Sequence, residues 1–121
     1  MSFAGGCMCG AVRFRLDAEP LRVGWCHCTS CRRHTGAPAA VFVDCLKKDV
    51  TFTKGRPAFF ASSQKVRRGF CAACGSTLSF EHDDDRDEIH LHVGAFDRAD
   101  LFAPNTEATH TNEKLPWFPQ G

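Results

Sequence analysis

Cys26, Cys28 and Cys31 fall within six residues, inside the stretch WCHCTSCRRHTG that runs from Trp25 to Gly36. Three thiols so close do not pair off as disulfides, because one is always left over and near neighbours are strained. They readily face one cation. In an extended segment, side chains at i and i+2 point to the same side, which aligns Cys26 with Cys28. Cys31 then returns from the first turn of a following helix. Three thiolates with one vacant position leave a zinc ion available for chemistry, whereas a fourth protein ligand closes the site. The stretch therefore reads as an open zinc site. The alternative is a closed structural site with a fourth ligand from elsewhere, such as His34. Arg32 and Arg33 flank the cluster. They suit either a charged helix face or the anchoring of a substrate carboxylate.

The chain has eight cysteines, and four of the others form two pairs. Cys7 and Cys9 make C-x-C. Cys71 and Cys74 make C-x-x-C, with alanines between them and Gly75 after. The small residues let backbone N–H groups approach the sulfurs, and the glycine accepts positive φ, as in a zinc knuckle. A closed four-thiolate site needs two pairs. The simplest partition joins Cys7 and Cys9 with Cys71 and Cys74, which staples distant parts of the chain and contributes to folding. It leaves Cys26, Cys28 and Cys31 as a separate site. A mixed partition, such as Cys26 and Cys28 with Cys71 and Cys74, satisfies the same spacing rules. Cys45 stands apart and reads as a small apolar core residue.

The elements that must position these thiols are mostly short strands. Val12, Phe14 and Leu16 alternate with Arg13 and Arg15, the pattern of a half-buried strand. A second strand is expected over residues 21–28. Thr29 or Ser30 can cap a short helix holding Cys31 to His34, and Gly36 can end it. A thiol in that first turn has its thiolate favoured by the helix dipole. Further strands are expected over 40–43, 50–54, 59–61, 65–70, 78–82 and 88–93, with Gly55-Arg56-Pro57 and the aspartates at 83–85 and 87 as turns. His27 points away from a metal held by its neighbours and reads as a packing or hydrogen-bonding residue. His82 belongs to the aspartate turn. His90 and His92 alternate with the core positions and are expected to face solvent or a partner sheet. The proline-flanked end is expected to cross the domain as an extended arm with Trp117 packed. The whole reads as one mainly β domain over residues 1–121, with one short helical turn near the second cysteine cluster.

Composition narrows the function. The formal charge is +1, from 15 basic and 14 acidic residues, so nothing advertises a nucleic-acid or membrane surface. The N-terminus lacks a basic segment followed by an apolar one, and no apolar run approaches the length of a membrane span. A soluble protein of the cytoplasm is the expectation, and in that reducing compartment eight cysteines suggest metal ligation.

Gly6-Cys7-Met8-Cys9-Gly10 followed by Val12-Arg13-Phe14 resembles the opening of the glutathione-dependent formaldehyde-activating (GFA) enzyme family. Cys26-His27-Cys28-Thr29-Ser30-Cys31-Arg32 with Gly36-Ala37, and Phe70-Cys71-Ala72-Ala73-Cys74-Gly75-Ser76, are similar to its second and third motifs. Val93-Gly94-Ala95-Phe96-Asp97 and Lys114-Leu115-Pro116-Trp117 also look like family features. The resemblance covers nearly the whole chain, as a short member built almost entirely of the core domain. It implies a zinc-bearing β-tent fold of packed antiparallel sheets. It implies a structural zinc held by Cys7, Cys9, Cys71 and Cys74, and a second, labile catalytic zinc at Cys26, Cys28 and Cys31, where glutathione binds. The family activity it implies is carbon–sulfur lyase chemistry, the condensation of glutathione or a similar small thiol with formaldehyde or a related aldehyde to S-hydroxymethylglutathione. Centromere protein V shares the domain in a non-enzymatic role, so a zinc-stabilised binding module is the alternative function. Monomer and homodimer both fit, since strand edges in such a sheet can pair.

A metal protein and a disulfide scaffold separate on one count. Thiol titration of denatured, metal-stripped, unreduced protein should return close to eight free thiols. A count near zero would establish the disulfide scaffold instead.

Overall fold

The computed structural model describes residues 1–119. Two antiparallel sheets carry the fold. In the smaller, β2 (Arg13–Leu16) lies between β1 (Phe3–Gly6) and β5 (Val50–Lys54). The larger is built from β3 (Arg22–Cys26), β4 (Ala40–Leu46), β6 (Ala58–Ser63), β7 (Val66–Phe70), β8 (Thr77–His82) and β9 (Glu88–His92). Its order is β3-β4-β9-β8-β7-β6, and every neighbouring pair is antiparallel. A single α-helix among the described residues, α1 (Thr29–Thr35), joins β3 to β4. The mainly β reading with one helical element holds.

The alternation read in Val12, Phe14 and Leu16 is the reason β2 sits where it does. All three are buried while Arg15 is exposed. Phe14 and Leu16 meet Val23, Val43, Cys45, Ile89 and Leu91 of the larger sheet in one core. Phe14 is held edge-on by Phe52 and Phe96, with ring centroids 6.3 and 5.1 Å away. Cys45 packs in this core, and burial pushes its thiol up to about 12. It is chemically quiet, in keeping with a small apolar residue.

The outer face of the larger sheet is different. Register puts Arg22 opposite Asp44 and Cys26 opposite Ala40, then Phe42 opposite His92, Asp44 opposite His90, His90 opposite Phe80, and Phe80 opposite Arg68. Directly paired residues share a face. Val43 and Cys45 therefore enter the core while Phe42 and Asp44 look outward, yet all four are buried. Something covers the outer face too. Part of the cover is α1. The rest is the chain after Pro104.

That late segment runs along the free edge of β3. Asn105 N–H donates to Val23 O at 2.8 Å, Thr109 N–H to Trp25 O at 2.9 Å, and His27 N–H to Thr109 O at 3.1 Å. An exposed edge is thereby blocked. Gly24 permits it, because a Cβ there would lie 2.7 Å from Thr106 Cγ2. Beyond it the chain turns twice, at Thr111–Glu113 and where Phe118 N–H bonds Leu115 O. The extended arm with a packed Trp117 is corrected here. Trp117 is 67% exposed, and it is Phe118 that packs, 5.2 Å from Trp25 and 4.6 Å from His27. The turn sends neighbouring side chains in opposite directions. His90 and His92 also differ from expectation: they face the covered outer side, and His92 is buried. The helix ends at Gly36 as the glycine predicts, but Cys28 occupies the N-cap position, and Thr29 is already the first helical residue.

Phe14→Ala should cost about 3–5 kcal/mol, the range for emptying a buried phenylalanine site. Denaturant unfolding of the metal-loaded protein measures it.

Candidate functional site

Cys7 and Cys9 follow β1, and Cys71 and Cys74 follow β7, so two sheets bring them together from the N-terminal segment and the middle of the chain. The four sulfurs all lie within 4.8 Å of one another. Cys7 and Cys9 are 3.7 Å apart, and Cys9 and Cys71 are 3.8 Å apart. Sulfurs about 2.3 Å from a central zinc would be separated by about 3.8 Å along each tetrahedral edge. The donor set and its spacing fit that ion. Backbone N–H groups approach the sulfurs as the small residues allow: Val12 N–H donates to Cys7 Sγ at 3.2 Å. Gly75 has φ 78° and closes the knuckle by donating to Cys71 O at 2.8 Å. Ser76 adds two links. Its hydroxyl accepts from Met8 N–H at 2.9 Å and lies 3.1 Å from Cys74 Sγ, and this contact pulls the Cys74 thiol down to about 5.

The second cluster lies elsewhere. Cys26 ends β3, and Cys31 comes from the first turn of α1. Their sulfurs are 3.6 Å apart and both residues are buried. The hydrogen bond between them lowers Cys26 to about 5 and raises Cys31. One proton is thus lost easily and the second is held. Cys28 stands further toward the late segment, where its sulfur, His110 and Glu113 are mutually within 4.8 Å. Cys26, Cys28 and Cys31 all border one cavity of about 810 Å³ on the outer face of the larger sheet. Phe42 and Phe80 form its apolar floor, with ring centroids 5.5 Å apart.

Glu113 holds this corner together. Its carboxylate accepts from Thr29 N–H at 3.1 Å and from the Thr29 hydroxyl at 2.9 Å. That caps α1 from 84 residues away, in place of a local cap. Arg32 donates to Glu113 O at 2.9 Å and to Thr29 Oγ1 at 3.3 Å. Arg32 is therefore spent on the late segment, and Arg33 is exposed; neither lines the cavity. The arginines that do line it are Arg22 and Arg68. His110 has φ 54° and ψ 38°, the one non-glycine residue with positive φ among those described. That costly conformation is held beside Cys28.

The remaining histidines separate. His27 is buried under Phe118, a packing role, and burial lowers its pKa. Among the described residues, neither His34, the alternative fourth ligand, nor Cys28 joins Cys26 and Cys31 in a group whose ligand atoms all lie within 4.8 Å of one another. The His34 ring lies 5.6 Å from that of His92. Burial drives His92 down to about 3. His82 accepts from Asp84 N–H at the expected turn. Asp44, Glu88 and His90 form a further close group, tied to Arg22 by contacts of 2.8 and 2.6 Å.

The chain is similar to known proteins across most of its length. The family model described as "Glutathione-dependent formaldehyde-activating enzyme" matches residues 2–112. A protein of Schizosaccharomyces pombe named as an uncharacterized lyase is 28% identical over 94 residues, which is 78% of this chain and 68% of that one. A crystal structure of a Rhodobacter sphaeroides protein superposes with a TM-score of 0.67 at 22% identity, covering 88% of this chain and 99% of its own. The last likeness is one of fold. Among the described residues no helix is long and apolar enough to cross a membrane.

Cys74→Ser should remove one tightly held zinc equivalent and lower the thermal midpoint, since metal binding at such a site is folding free energy. Zinc stoichiometry by chelator release, read beside a thermal melt, checks both. Unchanged stoichiometry would show that the four sulfurs hold no ion.

Proposed function

Because the chain belongs to the glutathione-dependent formaldehyde-activating enzyme family, we propose that it is a zinc-dependent carbon–sulfur lyase-type enzyme joining a small thiol to a small aldehyde. The observation that carries this is the separation of the seven clustered cysteines into two unlike groups. Four sulfurs converge on one another near the surface, while Cys26, Cys28 and Cys31 border a cavity large enough for a small molecule. In this reading Cys7, Cys9, Cys71 and Cys74 hold a structural zinc, and Cys26, Cys28 and Cys31 hold a second. A closed site stabilises, and a site beside a cavity leaves room for a ligand.

The reaction is an addition. The substrate sulfur forms a bond to the aldehyde carbon, the carbon–oxygen double bond becomes single, and the thiol proton ends on the new hydroxyl. A zinc ion held by Cys26, Cys28 and Cys31 would favour the thiolate form of a thiol bound there. The protein's part is positioning. Phe42 and Phe80 exclude water from the floor of the cavity. Cys28 sits where His110 and Glu113 reach it, and His110 Nδ1 is 3.4 Å from Glu113 Oε2, so this pair can pass the proton between thiol and hydroxyl. Glutathione with formaldehyde is the first pair to try, by family membership. The Schizosaccharomyces pombe relative, named a lyase, supports the reaction class.

Exchange NMR of glutathione, formaldehyde and their adduct tests the proposal, with the uncatalysed rate subtracted. Zinc-loaded wild type should accelerate the exchange. Cys28→Ser should return it to background, at unchanged content of the structural zinc. Full activity in that variant would sink this assignment of the site. No acceleration by wild type with any small thiol would favour a binding module.

A further inference from the structure

Arg68 is an outlier among the arginines of this protein. Arg13, Arg15, Arg22, Arg67 and Arg98 each meet a carboxylate, and Arg32, Arg33, Arg56 and Arg86, which show none among the described residues, are half-buried or exposed. Arg68 is the buried one, only 4% exposed, and no carboxylate touches it among the described residues. Its contacts are otherwise. Nε donates to Ser62 Oγ at 2.9 Å, Nη1 donates to Cys31 Sγ at 3.5 Å, and the guanidinium lies 5.1 Å above the Phe80 ring. It lines the cavity shared with Cys26 and Cys28.

Burying a guanidinium is strongly unfavourable unless an anion faces it. A serine hydroxyl and an aromatic face do not balance a full charge. The remaining partner is sulfur. Arg68 therefore lies in the fold where negative charge on the cysteine cluster would neutralise it. The neighbours that share its field are the half-buried ring of His34 and the buried ring of His92, which Arg68 helps to keep uncharged.

We infer that Arg68 is the fixed counter-charge of the Cys26–Cys31 pair, a positioning residue that lets the cluster accept a further thiolate from substrate. This rests on the proposed second metal site. Three cysteine thiolates around a divalent cation carry a net charge of −1, and a fourth thiolate makes it −2. A guanidinium bonded to one of the four sulfurs offsets part of that excess, and an N–H···S bond weakens the donation of Cys31 alone. Among the described residues, no arginine donates a hydrogen bond to the sulfurs of Cys7, Cys9, Cys71 and Cys74. That group needs none, because it admits no substrate.

Cobalt-substituted protein gives a readout other than activity. Wild type, Arg68→Lys and Arg68→Met are loaded with cobalt, counted for bound metal, and titrated with glutathione and 2-mercaptoethanol. The sulfur-to-cobalt charge-transfer absorption reports thiol entry. Arg68→Met should bind two ions and weaken thiol affinity by about tenfold or more, the effect of losing a hydrogen bond to a charged group. Arg68→Lys should recover part of that affinity with a shifted band, since lysine keeps the charge and loses the planar fork. Equal thiol affinity in Arg68→Met and wild type, with two ions bound in each, would overturn the inference alone. Should Arg68→Met fail to fold, Arg68→Lys decides by itself: a band and a thiol affinity identical to wild type overturn the inference, and a shifted band with weakened affinity supports it. One ion in wild type would overturn both this inference and the site on which it rests.

Discussion

Four sulfurs within 4.8 Å of one another impose the constraint from which the rest of the architecture follows. As thiolates they repel, by about 1 kcal/mol per pair even in water. A cation at their centre would turn that repulsion into a bond between the two sheets. Cys7 and Cys9 follow a strand of the smaller sheet and Cys71 and Cys74 follow β7, with Cys9 and Cys71 62 positions apart in sequence. Fixing Cys71 also fixes the register of β7, just upstream, where Arg68 faces the cavity. The four-sulfur group thus sets the geometry of the cavity wall without touching the cavity.

The larger sheet serves two environments at once. Its inner face joins the aromatic core around Phe14. Its outer face carries a row of charged, aromatic and imidazole groups that burial makes costly. Asp44 shows the tension: burial raises its pKa, while His90 and Arg22 pull the other way. The sheet holds that carboxylate because both partners stand directly across from it, on the strands at either side. Function therefore sits on rigid strands, with α1 and the late segment as the cover.

Much of this was legible in the sequence. The cysteine spacings left two partitions open, and the simpler one, Cys7 and Cys9 with Cys71 and Cys74, is the pairing whose four sulfurs lie together. The strand over residues 50–54 and the helix stop at Gly36 follow from local chemistry, and both stand as read. What depends on distant contacts was hidden. β1 escaped because glycines mask its alternation. Arg67 and Arg68 are adjacent and identical, and only the pleat of β7 sends them to opposite faces of the sheet, one to Glu81 and the other to Cys31 on the outer face. Arg32 looked like a substrate anchor beside its cysteines, yet its partner is a carbonyl 81 residues away. His90 and His92 read as a polar face because nothing local announces that the chain will fold back over them.

That fold-back has a consequence in time. A polypeptide leaves the ribosome N-terminus first, so its parts become available in order. The four-sulfur group is complete once Cys74 has emerged. The carboxylate that caps α1 belongs to Glu113, thirty-nine residues later. At ordinary translation speeds that gap lasts about 2–8 s. During it, the nascent chain can gather its four sulfurs and begin to pack its core while the corner around Cys28 is still open to solvent. Folding is thereby ordered by synthesis: the four-sulfur group comes first, and the corner around Cys28 is finished last.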